Sequence, residues 1–411
     1  MFVLSNLQSS TIDDAIISAL LNNPEIKVVK ESNKKYIQML NQAKAKNKPK
    51  IDFEFVGESK RIKRDATSNF EPKIQSNGYN AKILLEQLLY DGGLTTAKIS
   101  EMRYKEQSNK FSNNERVSKI ILKSINAYLN LVQYTYRIKL INENILKHKN
   151  YLNIARNNEN ITGNIIETYE VLAKLNTAKK IKLDELEGYE IARSKYSLIT
   201  NLQDYNVSLP IINQIETDQL IEEASLKNYE LLAKKQEILQ QKEIFKQSSS
   251  HYLPTIKLNL SASQDKNLMI DDVVQNTYSA QVIFKYNIYR GGEDEATSLK
   301  EKIALLEMKE DFNLLKISII DKMSSDIMKY KYSLKKIIEL KKMMKIHSKI
   351  LNIYKLEFQG GTKRFIDILN EENIYYNTKK TLMNEKIRLR QSYYALLVNT
   401  TKLSTKYIET Y

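Results

Sequence analysis

The sequence predicts a mainly α-helical chain with a small β part, internally duplicated, in which one-sided strands feed helices too long for a compact domain. Three observations carry this. Tyr79, Ala81, Tyr90, Gly92 and Gly93 recur in the same spacing as Tyr278, Ala280, Tyr289, Gly291 and Gly292, and four further positions between them exchange one large apolar residue for another. Both stretches alternate, with Ala81, Ile83, Leu85 and Leu89 answered by Ala280, Val282, Phe284 and Ile288; period two is the mark of a strand with one apolar face. After each Gly-Gly pair comes a run without Gly or Pro, 69 residues from Leu94 to Thr162 and 67 from Glu293 to Gln359.

In chain order, Thr11 followed by Asp13 and Asp14 opens a first helix, with a capping hydroxyl and acids in the first turn. Pro24 interrupts it, and a second helix is expected from Glu25 to about Lys46, ended by Pro49. Ile51, Phe53 and Phe55 alternate with Lys50, Asp52 and Glu54, a strand over about 50–57. The polar stretch from Gly57 to Gly78 reads as a loop, and the second strand covers 79–90. The run over 94–162 carries Val117, Ile121, Ile125, Tyr128 and Val132 in steps of three and four, the pattern of a helix packed beside others. As one helix it would be roughly 100 Å long. Gly163 breaks it, a return helix covers about 167–202, and Pro210 closes the half.

The chain then repeats itself. Pro49 with Ile51, Phe53 and Phe55 returns as Pro254 with Ile256, Leu258 and Leu260; Ala19, Leu21, Asn23 and Glu25 return as Ala224, Leu226, Asn228 and Glu230. Gly163 with Glu170 and Leu172 returns as Gly360 with Asp367 and Leu369, and Tyr196 returns as Tyr393. Matches kept in order at a near-constant offset indicate duplication. The first repeat is 1–210 and the second 211–411. The latter holds strands at about 255–263 and 278–289, a long helix over 293–359 and a return helix over 364–403.

Composition excludes several classes. No Cys is present, so neither a disulfide nor a lipid-bearing thiol is available. The formal charge is +15; Lys interleaved with Glu along the helices reads as compositional bias rather than a nucleic-acid patch. No apolar run is long enough for a transmembrane helix. The opening residues Met1 to Leu7 lack the basic and apolar regions of a signal peptide. Either the protein is cytosolic or the sequence starts after or within an export signal, and the strand pattern favours the second. His148, His251 and His347 are isolated, with no metal-ligand spacing or nucleophile partner. Gly92-Gly93 and Gly291-Gly292 close strands and are turn residues, not phosphate loops. No cofactor, metal or catalytic residue is expected, and the chain is not read as an enzyme.

Strands of about ten residues with one apolar and one charged face suit a transmembrane barrel wall; a small sheet packed on the helices is the alternative. Four strands close a barrel poorly and open edges cannot stand in lipid, so several chains would have to pool their strands. The order of these motifs resembles the TolC family of outer-membrane efflux proteins: Leu89-Tyr90-Asp91-Gly92-Gly93 and Ile288-Tyr289-Arg290-Gly291-Gly292 before long helices, Gln359-Gly360-Gly361-Thr362-Lys363 ahead of Asp367, the prolines before strands one and three, and the duplication. The likeness covers about Thr11 to Leu403. It implies a homotrimer whose three chains form a twelve-stranded transmembrane β-barrel continued by a long antiparallel α-helical coiled-coil barrel through the periplasm. It also implies a passive exit duct of a tripartite efflux or type I secretion system, in the cell outer membrane. Its partners would be a periplasmic adaptor (membrane fusion protein), an inner-membrane pump and outer-membrane lipid, with no nucleic acid. The absence of Cys leans the cargo towards protein secretion.

The resemblance also places the functional end at the helix turns, Gly163 and Gly360-Gly361, where the family's helices bend inward. Asp367 falls at a ring of carboxylates lining the aperture, and Asn370 replaces a frequent second acid. Lys363 falls at a basic position that helps hold the helices shut, and Phe358 at an aromatic one. An ordinary solvated helix-start acid is the competing reading of Asp367. Two other functions compete with the duct. A soluble coiled-coil scaffold leaves the alternating strands unexplained, and a periplasmic adaptor needs a Gly-rich β-domain that 10 Gly do not supply.

Overall fold

Thr11 caps the first helix as its sequence suggests: its hydroxyl accepts from the Asp14 N–H at 3.2 Å while the Asp14 carboxylate accepts from the Thr11 N–H at 2.9 Å. In the computed structural model, which describes residues 11–62, 74–163, 165–266 and 273–408, this opens an order of elements that occurs twice. The first set is α1 (Ile12–Asn22), α2 (Pro24–Ala45), β1 (Lys50–Ile62), β2 (Ile74–Tyr90), α3 (Leu94–Thr162) and α4 (Ile165–Thr200). The second is α5 (Leu220–Lys227), α6 (Tyr229–Ser249), β3 (Thr255–Lys266), β4 (Val274–Lys285), α7 (Glu293–Gln359) and α8 (Phe365–Asn399), followed by α9 (Lys402–Ile408). Met1 to Leu7, read above against a signal peptide, lie outside the described residues. No described helix is long and apolar enough to cross a membrane.

The chain divides into two compact units, each drawing segments from both sequence halves. One, residues 32–110 and 233–313, holds the strands. They form an antiparallel sheet in the order β1-β2-β3-β4. The register aligns Ile51 with Leu85, Leu85 with Leu260 and Leu260 with Ala280; the next row on that face aligns Phe53, Ile83, Ala262 and Tyr278. Directly paired residues share a face, so the apolar set expected from the alternation lies on one side. The other side carries Glu54, Lys82 and Ser263 in one row and Lys50, Glu86, Asn259 and Gln281 in another. There Lys257 Nζ lies 2.9 Å from Glu86 Oε1.

Several strand boundaries differ from the sequence reading; β3 also runs on to Lys266 and β4 starts at Val274. The stretch from Gly57 is not a loop at its start or end: β1 continues to Ile62 and β2 begins at Ile74, paired through Gly57 with Tyr79 and Glu58 with Gly78. Cross-strand pairing satisfies the backbone there, so polar side chains are no bar to strand. Residues 63–73, the middle of the expected loop, lie outside the described residues. In the other direction, β4 stops at Lys285, leaving Ile288 and Tyr289 beyond its end. β2 reaches Tyr90 because β3 pairs it across a bulge between Leu88 and Tyr90, whereas β4 pairs with β3 alone. Both Gly-Gly pairs have positive φ (+68° and +84°, +63° and +87°) and lie in turns, but only Gly92-Gly93 closes a strand; β4 ends short of Gly291-Gly292. A Cβ on Gly92 would also stand 2.7 Å from Leu253 Cβ.

The other unit, residues 11–31, 111–232 and 314–408, contains the packed helices. Its main core gathers Ile16, Ile121, Ile125, Leu129, Tyr128 and Tyr196 from α1, α3 and α4. The buried Tyr128 hydroxyl donates to the Ser208 carbonyl at 2.8 Å. Gly188 lets α4 approach α3 closely, since a Cβ there would come within 2.2 Å of the Tyr134 ring. Overpacking costs about 1–3 kcal/mol and alanine returns up to about 1 kcal/mol in helix propensity. Gly188→Ala should therefore lower the thermal midpoint followed by far-ultraviolet circular dichroism, while Gly57→Ala, with nothing closer than 4.0 Å, should not. A higher midpoint for Gly188→Ala would show that Tyr134 is free to move away.

Candidate functional site

The two long-helix turns lie in the helical unit and share one cluster. Tyr151, Leu152 and Ala155 of α3, Val171 and Leu175 of α4, Leu351 of α7, and Phe365, Ile368 and Leu369 of α8 are buried together. The first turn closes with Gly163 at φ +69°, its N–H donating to the Glu159 carbonyl at 2.8 Å. The second is a Schellman motif: Gly361 has φ +76° and the Thr362 N–H donates back to the Glu357 carbonyl at 3.0 Å. Gly360 keeps a negative φ, so Gly361 alone supplies the left-handed residue there. Phe358 packs at a tilt against Phe365, the first residue of α8, with ring centroids 5.1 Å apart, an aromatic contact across the turn.

Asp367 stands in the first turn of α8, where Arg364 at the N-cap offers no side-chain cap. Its carboxylate faces the helix N-terminus, favourable on dipole grounds, and lies 3.8 Å from the exposed Arg364 guanidinium. Asn370 accepts from Lys174 Nζ of α4 at 3.3 Å. Lys363 Nζ, in the turn between α7 and α8, sits 4.1 Å above the Tyr354 ring of α7, a cation–π contact; among the described residues it makes no ion pair. Phe358, Lys363, Asp367 and Asn370 therefore gather at one turn, with the Gly163 turn sharing the packed cluster beneath it.

Sequence reading missed the polar centres buried between these helices. Glu372 of α8 is almost fully buried; its carboxylate accepts from the Tyr151 hydroxyl at 2.9 Å and lies 2.8 Å from Lys147 Nζ, both on α3, and 3.7 Å from Lys355 Nζ on α7. Burial first, then the Glu372 charge, pushes the Tyr151 phenol well above its ordinary range. Glu185 of α4 forms a second centre, 2.5 Å from Lys380 Nζ of α8 and 3.4 Å from Arg137 Nη1 of α3, whose Nη2 donates to Asn384 Oδ1 at 2.8 Å. His347 Nδ1 of α7 lies 2.6 Å from Glu371 Oε1. One signal was available: Glu372 continues the apolar stripe of Phe365, Ile368, Leu369 and Tyr376, and Glu185 that of Ala178, Ala192 and Tyr196. A carboxylate on a buried stripe demands a partner.

His148 lies on the same kind of stripe, buried, with Nδ1 unpartnered among the described residues. Burial holds its pKa below the usual 6.5; Glu372 opposes this, and Lys174 and Lys147 add to it. A histidine depressed in the folded state contributes stability that is present above 6.5 and lost as pH falls through the folded value. Between pH 7.5 and 5.5 stability, followed as the thermal midpoint, should therefore fall, by at most about 1.4 kcal/mol per pH unit below 6.5 from this group. His148→Leu should flatten that part of the profile. An unchanged slope in His148→Leu would assign the acid sensitivity to other groups.

No protein-family model matches the chain, and no curated protein matches it in sequence. Solved structures do. The Campylobacter jejuni CmeC outer membrane channel superposes with a TM-score of 0.83 at 14% identity, covering 100% of this chain and 93% of that one. The outer membrane protein VceC of Vibrio cholerae gives 0.82 at 12% identity over 95% of each chain. The open state of the Neisseria gonorrhoeae MtrE outer membrane channel gives 0.79 at 12%, over 95% and 88%. The chain thus has, over nearly its whole length, the fold solved for these outer-membrane proteins, as the motif order led us to expect.

Proposed function

We propose that this chain is one protomer of a trimeric outer-membrane exit duct, passive, serving a tripartite efflux or type I secretion system. The observation that carries the reading is the sheet. Phe53, Val282 and Phe284 on its apolar face are 69%, 68% and 65% exposed, and β1 and β4 each pair on one side only among the described residues. A soluble scaffold would leave that face wet and those edges open. Pooling strands from three copies removes both edges, and lipid covers the face. The solved relatives are outer-membrane proteins of the same fold, which supports the same location. On this reading the helices form the periplasmic conduit, and their turns meet an adaptor and an inner-membrane pump. Cargo exits by diffusion, with no chemistry performed by the chain.

Phe53→Lys and Val282→Lys should each impair assembly into the outer membrane, at a cost of roughly 2–4 kcal/mol near mid-bilayer. Lys257→Ala and Gln281→Ala on the opposite face should assemble normally, because an exposed pair such as Lys257–Glu86 contributes little. Fractionation followed by protease protection reads this out; equal sensitivity of both faces would rule out a barrel wall.

We further propose that Asp367 lines the aperture, where a three-fold axis gathers three carboxylates and draws cations to the entrance. Its place in the first turn of α8, partly exposed beside the Gly360-Gly361 turn, is the support. Asp367→Ala should reduce cation selectivity and block by multivalent cations in planar bilayers, and Asn370→Asp should strengthen block. Lys363→Ala should raise conductance by loosening the α7 end. Unchanged selectivity and block in Asp367→Ala would leave Asp367 as a helix-start acid only.

A further inference from the structure

The surplus positive charge is not spread evenly, contrary to the interleaving suggested by the sequence as a whole. Residues 335–364 hold nine Lys and Arg against two acids, Glu339 and Glu357. Within this stretch α7 buries Ile337 and Leu351, one face of the helix, against its own unit. A different face of the helix presents Ile338, Lys342, Lys345, Lys349, Asn352 and Leu356, in steps of four, three, four, three and four. That spacing is the a/d seam of a coiled coil. It is uncovered among the described residues: Ile338 and Leu356 are 54% and 68% exposed, and the lysines between them are exposed too.

Other lysines of the stretch are engaged, Lys336 with Glu385 and Lys355 with Glu372. The seam lysines make no ion pair with another helix among the described residues. Lys342 pairs only with Glu339, one turn back on the same helix, at 2.8 Å, and Lys345 and Lys349 make no ion pair among the described residues. A seam with apolar ends and a cationic centre repels its own copy, because lysine would meet lysine. Nor do the neighbouring helices offer an acidic face. In this unit α3 carries eight Lys and Arg against three acids, α8 five against four, and α4 equal numbers. The acidic stretch 204–230 is held elsewhere, with Asp218 3.9 Å from Lys331 and Glu223 2.6 Å from Lys402.

We propose that this face of α7 docks an acidic amphipathic helix of another protein. Carboxylates would lie opposite Lys342, Lys345 and Lys349, and apolar residues would lie against Ile338 and Leu356. This rests on the reading of the chain as a duct met by an adaptor, and specifies the docking face and the charge of that partner. It also gives the net charge of +15 a role.

The test uses the full-length protein in detergent and two fluorescent heptad-repeat peptides, identical except for Glu or Lys at the positions meeting the seam. Anisotropy should show the Glu peptide binding and the Lys peptide not. The double variant Lys345→Glu/Lys349→Glu should lower affinity for the Glu peptide at least about tenfold and bind the Lys peptide instead. Binding should weaken as salt rises, as screening requires. Equal binding of both peptides, or binding of neither, would overturn the proposal. So would a double variant that leaves peptide affinity unchanged, that instead shifts ion selectivity (a lumen-wall face), or that alters oligomeric mass (a copy-to-copy face). Conductance is measured on the same preparation. Charge-selective peptide binding by a protein that conducts nothing would sink the duct reading while leaving the docking face standing.

Discussion

Everything in this architecture follows from a sheet that cannot be finished by one chain. Four strands give two edges whose backbone groups face outward, and one face whose side chains are aromatic and aliphatic yet uncovered. In water the edges invite aggregation; in hydrocarbon each unpaired amide costs several kcal/mol. Either medium demands closure, and a closed ring of strands from several copies meets the demand. The Gly-Gly turns lead into the long helices, directly from β2 in the first half and after a short extension beyond β4 in the second.

The helices meet a different constraint. A stripe of apolar residues repeated over more than sixty positions fixes that two helices pack side by side, yet leaves their sliding register weakly determined. The buried polar centres supply that register. Glu372 accepts from α3 and lies near a cation of α7; Glu185 joins α4 to cations of α3 and α8. Breaking a buried pair by removing one partner costs about 3–5 kcal/mol, so a one-turn slip that separated these groups would be strongly disfavoured. The Glu372 centre sets register on the side of the turns, and the Glu185 centre sets it further along the helices.

How much of this could be read in the sequence depended on whether the signal was local. The long helices were evident because two runs lack Gly and Pro, and the sheet faces because Ile51, Phe53 and Phe55 alternate with charges. Strand ends were not. β1 extends through the polar Gly57–Ile62 because Ile74–Tyr79 pairs with it, and β4 ends at Lys285 where no second neighbour pairs with it. The site divides the same way. Gly163 and Gly361 were found from the breaks they make, whereas Glu372 with Lys147, and Glu185 with Lys380, join residues about two hundred positions apart. Lys363 resting on Tyr354, and Gly188 admitting Tyr134, are packing facts with no pattern in sequence.

The central claim is that the fold is complete only as an assembly, and its most direct test is the mass of the detergent-solubilised particle by native mass spectrometry. The account predicts three chains per particle, held together until heating. A monodisperse single chain of 47.9 kDa that keeps its strand content in detergent would contradict it.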